Sequence, residues 1–173
     1  MKASVFIGTS VDGFIARVDG TLDFLPPGGG EPHGYIEFMA SVDAIVIGRK
    51  TFDTVLTFPN WPYEKPVFVL TSKPDKLHIP AGAKCEIMNA TPEQVVAKLD
   101  QLGFTHIYVD GGATIQRFLA AGLIQRLIIT RVPVLIGAGI PLFGSLPRDI
   151  RLEHVETRSY SSGLVRTEYR ISR

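Results

Sequence analysis

Arg49, Lys50 and Thr51 follow the apolar run Ala44-Ile45-Val46-Ile47 through a single glycine, Gly48. Two cations and a hydroxyl where a strand hands over to a helix are suited to anion binding. Cations at a helix N-terminus oppose its partial positive charge, and an anionic ligand removes that conflict. The alternative is a pair of solvated surface charges. A second junction runs from Ile107-Tyr108-Val109 through Asp110 into Gly111-Gly112-Ala113-Thr114, where the missing side chains let backbone N–H groups approach a phosphate, or simply permit tight packing. A third, Thr71-Ser72-Lys73 after Val67-Phe68-Val69-Leu70, adds two hydroxyls and a cation, the composition also of an ordinary turn.

In an open α/β sheet, ligands bind beyond the carboxyl ends of the strands, so the three junctions together predict one site with several phosphate-binding parts, fit for a dinucleotide. The G-x-G-x-x-G fingerprint is absent, and so is the acidic residue about 20 positions later that holds a free ribose 2′-hydroxyl. Arg49, Lys50 and Lys73 are placed instead to meet a 2′-phosphate, which favours NADPH over NADH. A side chain at Gly112 is expected to fill the space beside the pyrophosphate.

The elements that must position these residues alternate along the chain. Ser4-Val5-Phe6-Ile7, the two runs before Gly48 and Thr71, His106-Ile107-Tyr108-Val109 and Leu127-Ile128-Ile129-Thr130 are near-continuous apolar runs, as in strands of a largely parallel sheet covered on both faces. Thr91-Pro92-Glu93-Gln94 combines a hydroxyl cap, a first-turn proline and a capping-box glutamine, with Val95, Leu99 and Leu102 on one face and Gly103 as the stop. A second helix is expected over residues 113–123, with Ile115, Phe118 and Leu119 inward. Residues 127–134 and 153–171 read as strands, the latter turning at Ser161-Ser162-Gly163 into an antiparallel hairpin. Its last strand alternates Val165, Thr167, Tyr169 and Ile171 with Arg166, Glu168 and Arg170, as if one face were wet. Residues 23–34, with three prolines and four glycines, read as a functional loop.

Bulk properties narrow the function classes. A chain of 173 residues without repeat or linker is read as one domain, residues 1–173. Eighteen basic and seventeen acidic residues leave a net charge of +1, which disfavours a nucleic-acid or anionic-membrane partner. Cys85 is the single cysteine, so neither an internal disulfide nor a cysteine metal cluster can form, and it reads as a core residue; no metal site is expected. No long apolar stretch or cleavable leader is visible, and a cytoplasmic location is expected.

With the motifs in view, the chain resembles the dihydrofolate reductase superfamily. The resemblance runs through Val5-Phe6-Ile7-Gly8-Thr9-Ser10-Val11-Asp12-Gly13-Phe14-Ile15-Ala16, Ile47-Gly48-Arg49-Lys50-Thr51-Phe52, Leu70-Thr71-Ser72-Lys73 and Val109-Asp110-Gly111-Gly112-Ala113. The Ser-x-Asp-Gly-x-Ile-Ala start, Asp110-Gly111-Gly112 and Gly139-Ile140-Pro141-Leu142-Phe143 are closer to the reductase domain of riboflavin biosynthesis (RibD C-terminal) and its stand-alone relatives.

The resemblance implies a three-layer α/β fold, a mixed, mainly parallel sheet of about eight strands with helices on both faces and the antiparallel hairpin at its end. It implies NADPH bound in an extended pose: Gly8, Ile15 and Ala16 at the nicotinamide, Gly48, Arg49, Lys50 and Thr51 at phosphate, Leu70, Thr71, Ser72 and Lys73 at the adenosine end, and Asp110, Gly111, Gly112, Ala113 and Thr114 in the pyrophosphate loop. A cis peptide between Gly111 and Gly112 is expected from relatives, as is a homodimer, which the 45% hydrophobic content and the apolar run Val132-Pro133-Val134-Leu135-Ile136 also favour. The implied activity is hydride transfer to a pterin-like, pyrimidine-like or related small carbonyl substrate. Asp12, directly after the first strand, and Glu37, in the helix after the first loop, are the candidate acids. Against these roles stand a turn cap for Asp12 and an exposed helix position for Glu37. True dihydrofolate reductases carry a carboxylate early in that helix, where this chain has Pro32-His33. Authentic dihydrofolate reductase is thus the enzymatic alternative, and a non-catalytic nucleotide-binding module the alternative of another class.

Overall fold

The computed structural model describes residues 1–26, 31–74 and 77–172. Eight strands form one sheet in the order β5-β4-β3-β6-β1-β7-β10-β9. They are β1 (Lys2–Ser10), β3 (Ala44–Gly48), β4 (Val67–Leu70), β5 (Cys85–Met88), β6 (His106–Asp110), β7 (Arg126–Val132), β9 (Leu152–Ser159) and β10 (Val165–Ile171). The first six are mutually parallel, whereas β10 runs antiparallel to β7 and β9 antiparallel to β10. Two short strands, β2 (Phe14–Ala16) and β8 (Ile140–Pro141), pair separately; neither is announced by the sequence, being too short to show a period.

Four helices complete the fold among the described residues: α1 (Tyr35–Ser41), α2 (Arg49–Val55), α3 (Pro92–Gln101) and α4 (Gly112–Ala120). Two cores lie on opposite faces of the sheet, as the near-continuous apolar strands require. Val95 and Leu99 of α3 and Ile115, Phe118 and Leu119 of α4 pack with Val5, Val46 and Val109 on one face. Phe38 of α1 and Phe52 of α2 pack with Phe6, Ile45, Ile47, Tyr108 and Ile128 on the other. The Thr91 capping box forms, with Gln94 Oε1 accepting from Thr91 N at 2.9 Å and Thr91 Oγ1 from Gln94 N at 3.4 Å. Gly103, at φ 84°, ends that helix in the left-handed region that glycine favours.

Three expectations are corrected. The strand expected to continue to residue 134 ends at Val132, because Pro133 has no N–H for the ladder; the residues after it form a loop with Leu135 70% exposed. The alternation in β10 does not produce a wet face: Arg166 is 7% exposed and carries ion pairs to Glu156 and Glu168. The chain entering α1 covers that part of the sheet, with Gly34 against the Arg166 guanidinium. The expected cis bond between Gly111 and Gly112 is also absent, every described peptide bond being trans; Gly111 makes the turn with φ 92° and ψ 133° instead. The irregular segment 23–34 lies partly outside the described residues.

Cys85 sits half-buried in β5, where burial pushes its thiol up to about 11, so it stays protonated at neutral pH. At the amino-terminal end of β6, His106 lies between Ser4 Oγ (2.8 Å) and the Ser41 carbonyl (2.7 Å), and Asp43 accepts from Thr105 and His106.

Candidate functional site

All the parallel strands deliver their carboxyl ends to one edge of the sheet, and the sequence junctions meet there. Ile47 stands in register with Asp110, and Gly48 with Leu70, so the starts of α2 and α4 and the Thr71-Ser72-Lys73 turn are neighbours. Both helices begin on a glycine, Gly48 and Gly111, with no side chain bonded to the first turn. The two starts interlock. A Cβ at Gly48 would come within 2.7 Å of Thr114 Oγ1, and a Cβ at Gly111 would collide with Thr51 Oγ1. Each threonine, third residue of its helix, reaches across to the other helix's glycine. Two uncapped helix N-termini with two hydroxyls between them form a cradle for an anion, with the N–H groups unclaimed by side chains.

Gly112 has a different neighbourhood from the one expected. A Cβ there would meet Ile15 Cδ1 at 3.0 Å, the Pro141 carbonyl at 3.3 Å and Ile140 Cγ2 at 3.4 Å. Its bareness admits the β2–β8 ribbon, and that contact brings Ile15 up to the start of α4. Gly139 is bare for a similar reason, since a side chain there would meet the Ala16 carbonyl. Gly8 lies on β1 under Leu25, whose Cδ2 is 3.1 Å from the place a Cβ would occupy. Arg49 is paired with Asp53 one turn on, Nε to Oδ1 2.8 Å, so the helix itself supplies a partner for one of its two N-terminal cations. Lys73 N donates to Thr71 Oγ1 at 3.1 Å, holding the third junction as a tight turn.

The two candidate acids sit on different elements, Asp12 between β1 and β2 and Glu37 in α1. Asp12 accepts from Gly137 N (2.8 Å) and Ile136 N (3.3 Å), bracing the loop after β7. A hydrogen bond with Ser10, with help from those two backbone donors, holds its carboxyl below the usual carboxylate range despite some desolvation. Glu37 is exposed on α1 and makes no hydrogen bond among the described residues. The inward residue of that turn is Phe38, edge-on to Tyr108 and tilted against Phe6.

Asp110 has the environment of a proton carrier. It ends β6 on the α1 side of the sheet, with Tyr35, Tyr63 and Tyr108 around it. Desolvation pushes its carboxyl up to about 6, against the opposing pull of the Gly111 N–H at 2.7 Å and the Tyr108 hydroxyl beside it. The Tyr108 hydroxyl itself donates to the Phe6 carbonyl at 2.9 Å. From sequence, Asp110 reads only as part of the glycine-rich loop; its raised pKa comes from desolvation, which the fold imposes and the local sequence does not show.

The sequence matches the family model of the RibD C-terminal domain over residues 2–166. Among curated relatives, YwjB of Bacillus subtilis (strain 168), a protein of uncharacterised function, is 32% identical over 167 residues, covering 94% of each chain. Among solved structures, a candidate riboflavin biosynthesis protein from Shewanella sp. PV-4 superposes with a TM-score of 0.90 at 38% identity, over 100% of both chains. Dihydrofolate reductase from Enterococcus faecalis, complexed with NADP(H), shares the fold with a TM-score of 0.70 at 17% identity, over 99% of this chain and 97% of that one.

Proposed function

Since the chain belongs to the RibD C-terminal domain family, we propose that it is an NADPH-dependent reductase acting on a small heterocyclic or carbonyl substrate of pterin or pyrimidine type. The observation that carries this reading is the pair of glycine-capped, uncapped-by-side-chain helix starts at the ends of neighbouring strands β3 and β6, interlocked through Thr51 and Thr114. The cradle fits the group: any side chain at Gly48 or Gly111 would close it. Gly111 to Thr114 and Gly48 to Thr51 hold the pyrophosphate, Thr71, Ser72 and Lys73 the adenosine end beside Leu70, and Gly8, Ile15 and Ala16 border the nicotinamide. Lys50 and Lys73 are the first choices for the 2′-phosphate, because Arg49 already has Asp53.

When bound, NADPH supplies the hydride; the protein supplies orientation and a proton. Asp110 is the proton carrier in this reading, because a carboxyl near pH 6 is poised to give up a proton under physiological conditions. Asp12, engaged by two backbone donors, positions the loop beside the ribbon. A folate-type carboxylate on the inner side of α1 is missing, its inward residue being Phe38, which sets this site apart from that of an authentic dihydrofolate reductase. A homodimer is part of the proposal, supported by the exposed apolar side chains Leu135, Leu152 and Val155, the last two on edge strand β9. A scattering mass of a single chain would count against it. Among the described residues, no helix is long and apolar enough to cross a membrane.

The test is NADPH oxidation followed across pterins, pyrimidinones and small carbonyl compounds, together with direct NADPH titration. Turnover of at least one class is expected. Binding without turnover throughout would leave a nucleotide-binding module, and absence of NADPH binding would overturn the reading.

A further inference from the structure

The β2–β8 ribbon is too small to hold its own shape. It has three residues in one strand and two in the other, paired at Phe14–Pro141 and Ala16–Ile140, and an isolated two-stranded ribbon is marginal in water at best. Its position is therefore set by what it is tied to. One tie runs back to its own approach, Leu142 N donating to the Gly13 carbonyl at 3.0 Å, and Leu142 itself is buried in the core with Ile115 and Phe118 of α4. Another tie is a side chain. Gln116 Nε2 donates to the Pro141 carbonyl at 3.1 Å and to the Leu142 carbonyl at 3.3 Å.

Gln116 stands four residues after Gly112, so the two share one face of α4 on successive turns. The same Pro141 carbonyl meets both. It lies 3.3 Å from the place of a Cβ at Gly112 and 3.1 Å from Gln116 Nε2. Gly112 yields the space into which the short strand fits, and Gln116 supplies the donor that holds it there. Gly144 is bare against the same amide, a Cβ there falling 2.7 Å from Gln116 Oε1. Backbone carbonyls only accept, so the clamp needs an N–H at this position, and a carboxylate of the same shape would repel both.

The consequence lies at the start of α4. That start opens on Gly111 and forms part of the cradle, while the ribbon carries Ile15 and Ile140 onto Gly112 beside it. One helix thus fixes a phosphate-binding end and the wall next to it, and Gln116 sets how the two stand to each other. We propose, on the basis of the reductase reading, that Gln116 is a positioning residue for the nicotinamide half of the cofactor, acting through the ribbon rather than by contact with the cofactor. The adenosine half, held in that reading by the Thr71-Ser72-Lys73 turn after β4, two strands away from β6, does not depend on it.

The test titrates NADPH and adenosine 2′,5′-bisphosphate, which lacks the nicotinamide half, into the parent, Gln116→Met and Gln116→Glu. Gln116→Met keeps an unbranched chain and removes the donor; it should weaken NADPH about tenfold and leave the bisphosphate within about twofold. Gln116→Glu is closer to glutamine in shape but sets an anion against two carbonyls at neutral pH, so it should weaken NADPH further than Met does, again sparing the bisphosphate. A role in helix packing alone predicts the reverse order, with Glu the milder change. Amide exchange of the free proteins should be faster at residues 14–16, 140 and 142 in both variants, while melting temperatures stay close to the parent's. Equal losses for the two ligands, no loss for NADPH, or a Glu variant milder than Met overturns the role of Gln116. A parent that binds neither ligand overturns the reductase reading instead, and the ribbon's exchange rates then judge the clamp by themselves: rates unchanged by both substitutions overturn it.

Discussion

Helices α3 and α4 both begin at the carboxyl edge of the sheet, one after β5 at its margin and one after β6 near its middle. The marginal helix closes its own first turn with the Thr91–Gln94 box and a proline. The central one begins on bare glycine, no side chain answers its N–H groups, and α2 beside it does the same. A helix start that serves only the fold is satisfied locally, because unmade bonds cost stability. A start left open beside a second open start is held for something that arrives from outside. Asp110 extends the contrast: a carboxylate that served only to cap would be stabilised as an anion, and this one is pushed toward its neutral form by desolvation.

The largest effect is expected at Gly111. Gly111→Ala forces a side chain into φ 92° and onto Thr51, which should abolish measurable NADPH binding and cost about 1–3 kcal/mol in unfolding experiments. Unchanged NADPH affinity would mean that the Gly48–Gly111 cradle does not hold the cofactor. Gly112→Val should behave differently from a simple block of a ligand: it pushes against Ile15, Ile140 and the Pro141 carbonyl, and should loosen the β2–β8 ribbon, visible as faster amide exchange there, as well as weaken the cofactor.

Next comes Asp110→Asn. If Asp110 carries the proton, turnover should fall about hundredfold while NADPH affinity stays within a few fold, and the parent's kcat/KM should decline as pH rises through about 6. Stability gives an independent readout. A carboxyl with a raised folded pKa binds more protons folded than unfolded between its ordinary value and about 6, so parent stability should fall across that window as pH rises and then level off. Melting curves of Asp110→Asn should lack that slope; a slope of equal size would assign it to another group.

Thr91→Ala supplies the contrasting case at the marginal helix. It should cost about 1 kcal/mol of stability and leave NADPH binding unchanged. The smallest effect is Asp53→Asn, which frees Arg49 from its exposed partner and should raise the preference for NADPH over NADH a few fold at low salt, fading as salt is added. An unchanged ratio would mean that Arg49 does not reach the 2′-phosphate.

What the sequence by itself determined follows from short-range rules. Strand runs, the capping box, the stop at Gly103 and the C-terminal hairpin were legible because apolar period, hydroxyl caps and glycine conformations act over a few residues. The strand-to-helix junctions at Gly48 and Gly111 were legible for the same reason, each being marked in one dimension. The roles of single side chains were not, because burial and charge at a point depend on whichever segments the fold brings there. Register alone sets Thr130 between Gly8 and Arg166, from segments more than a hundred residues apart at the extremes. Only the packed structure decided that Arg166 lies under α1 rather than in water, that Asp12 braces a loop, and that Asp110 is the carboxyl enclosed by tyrosines.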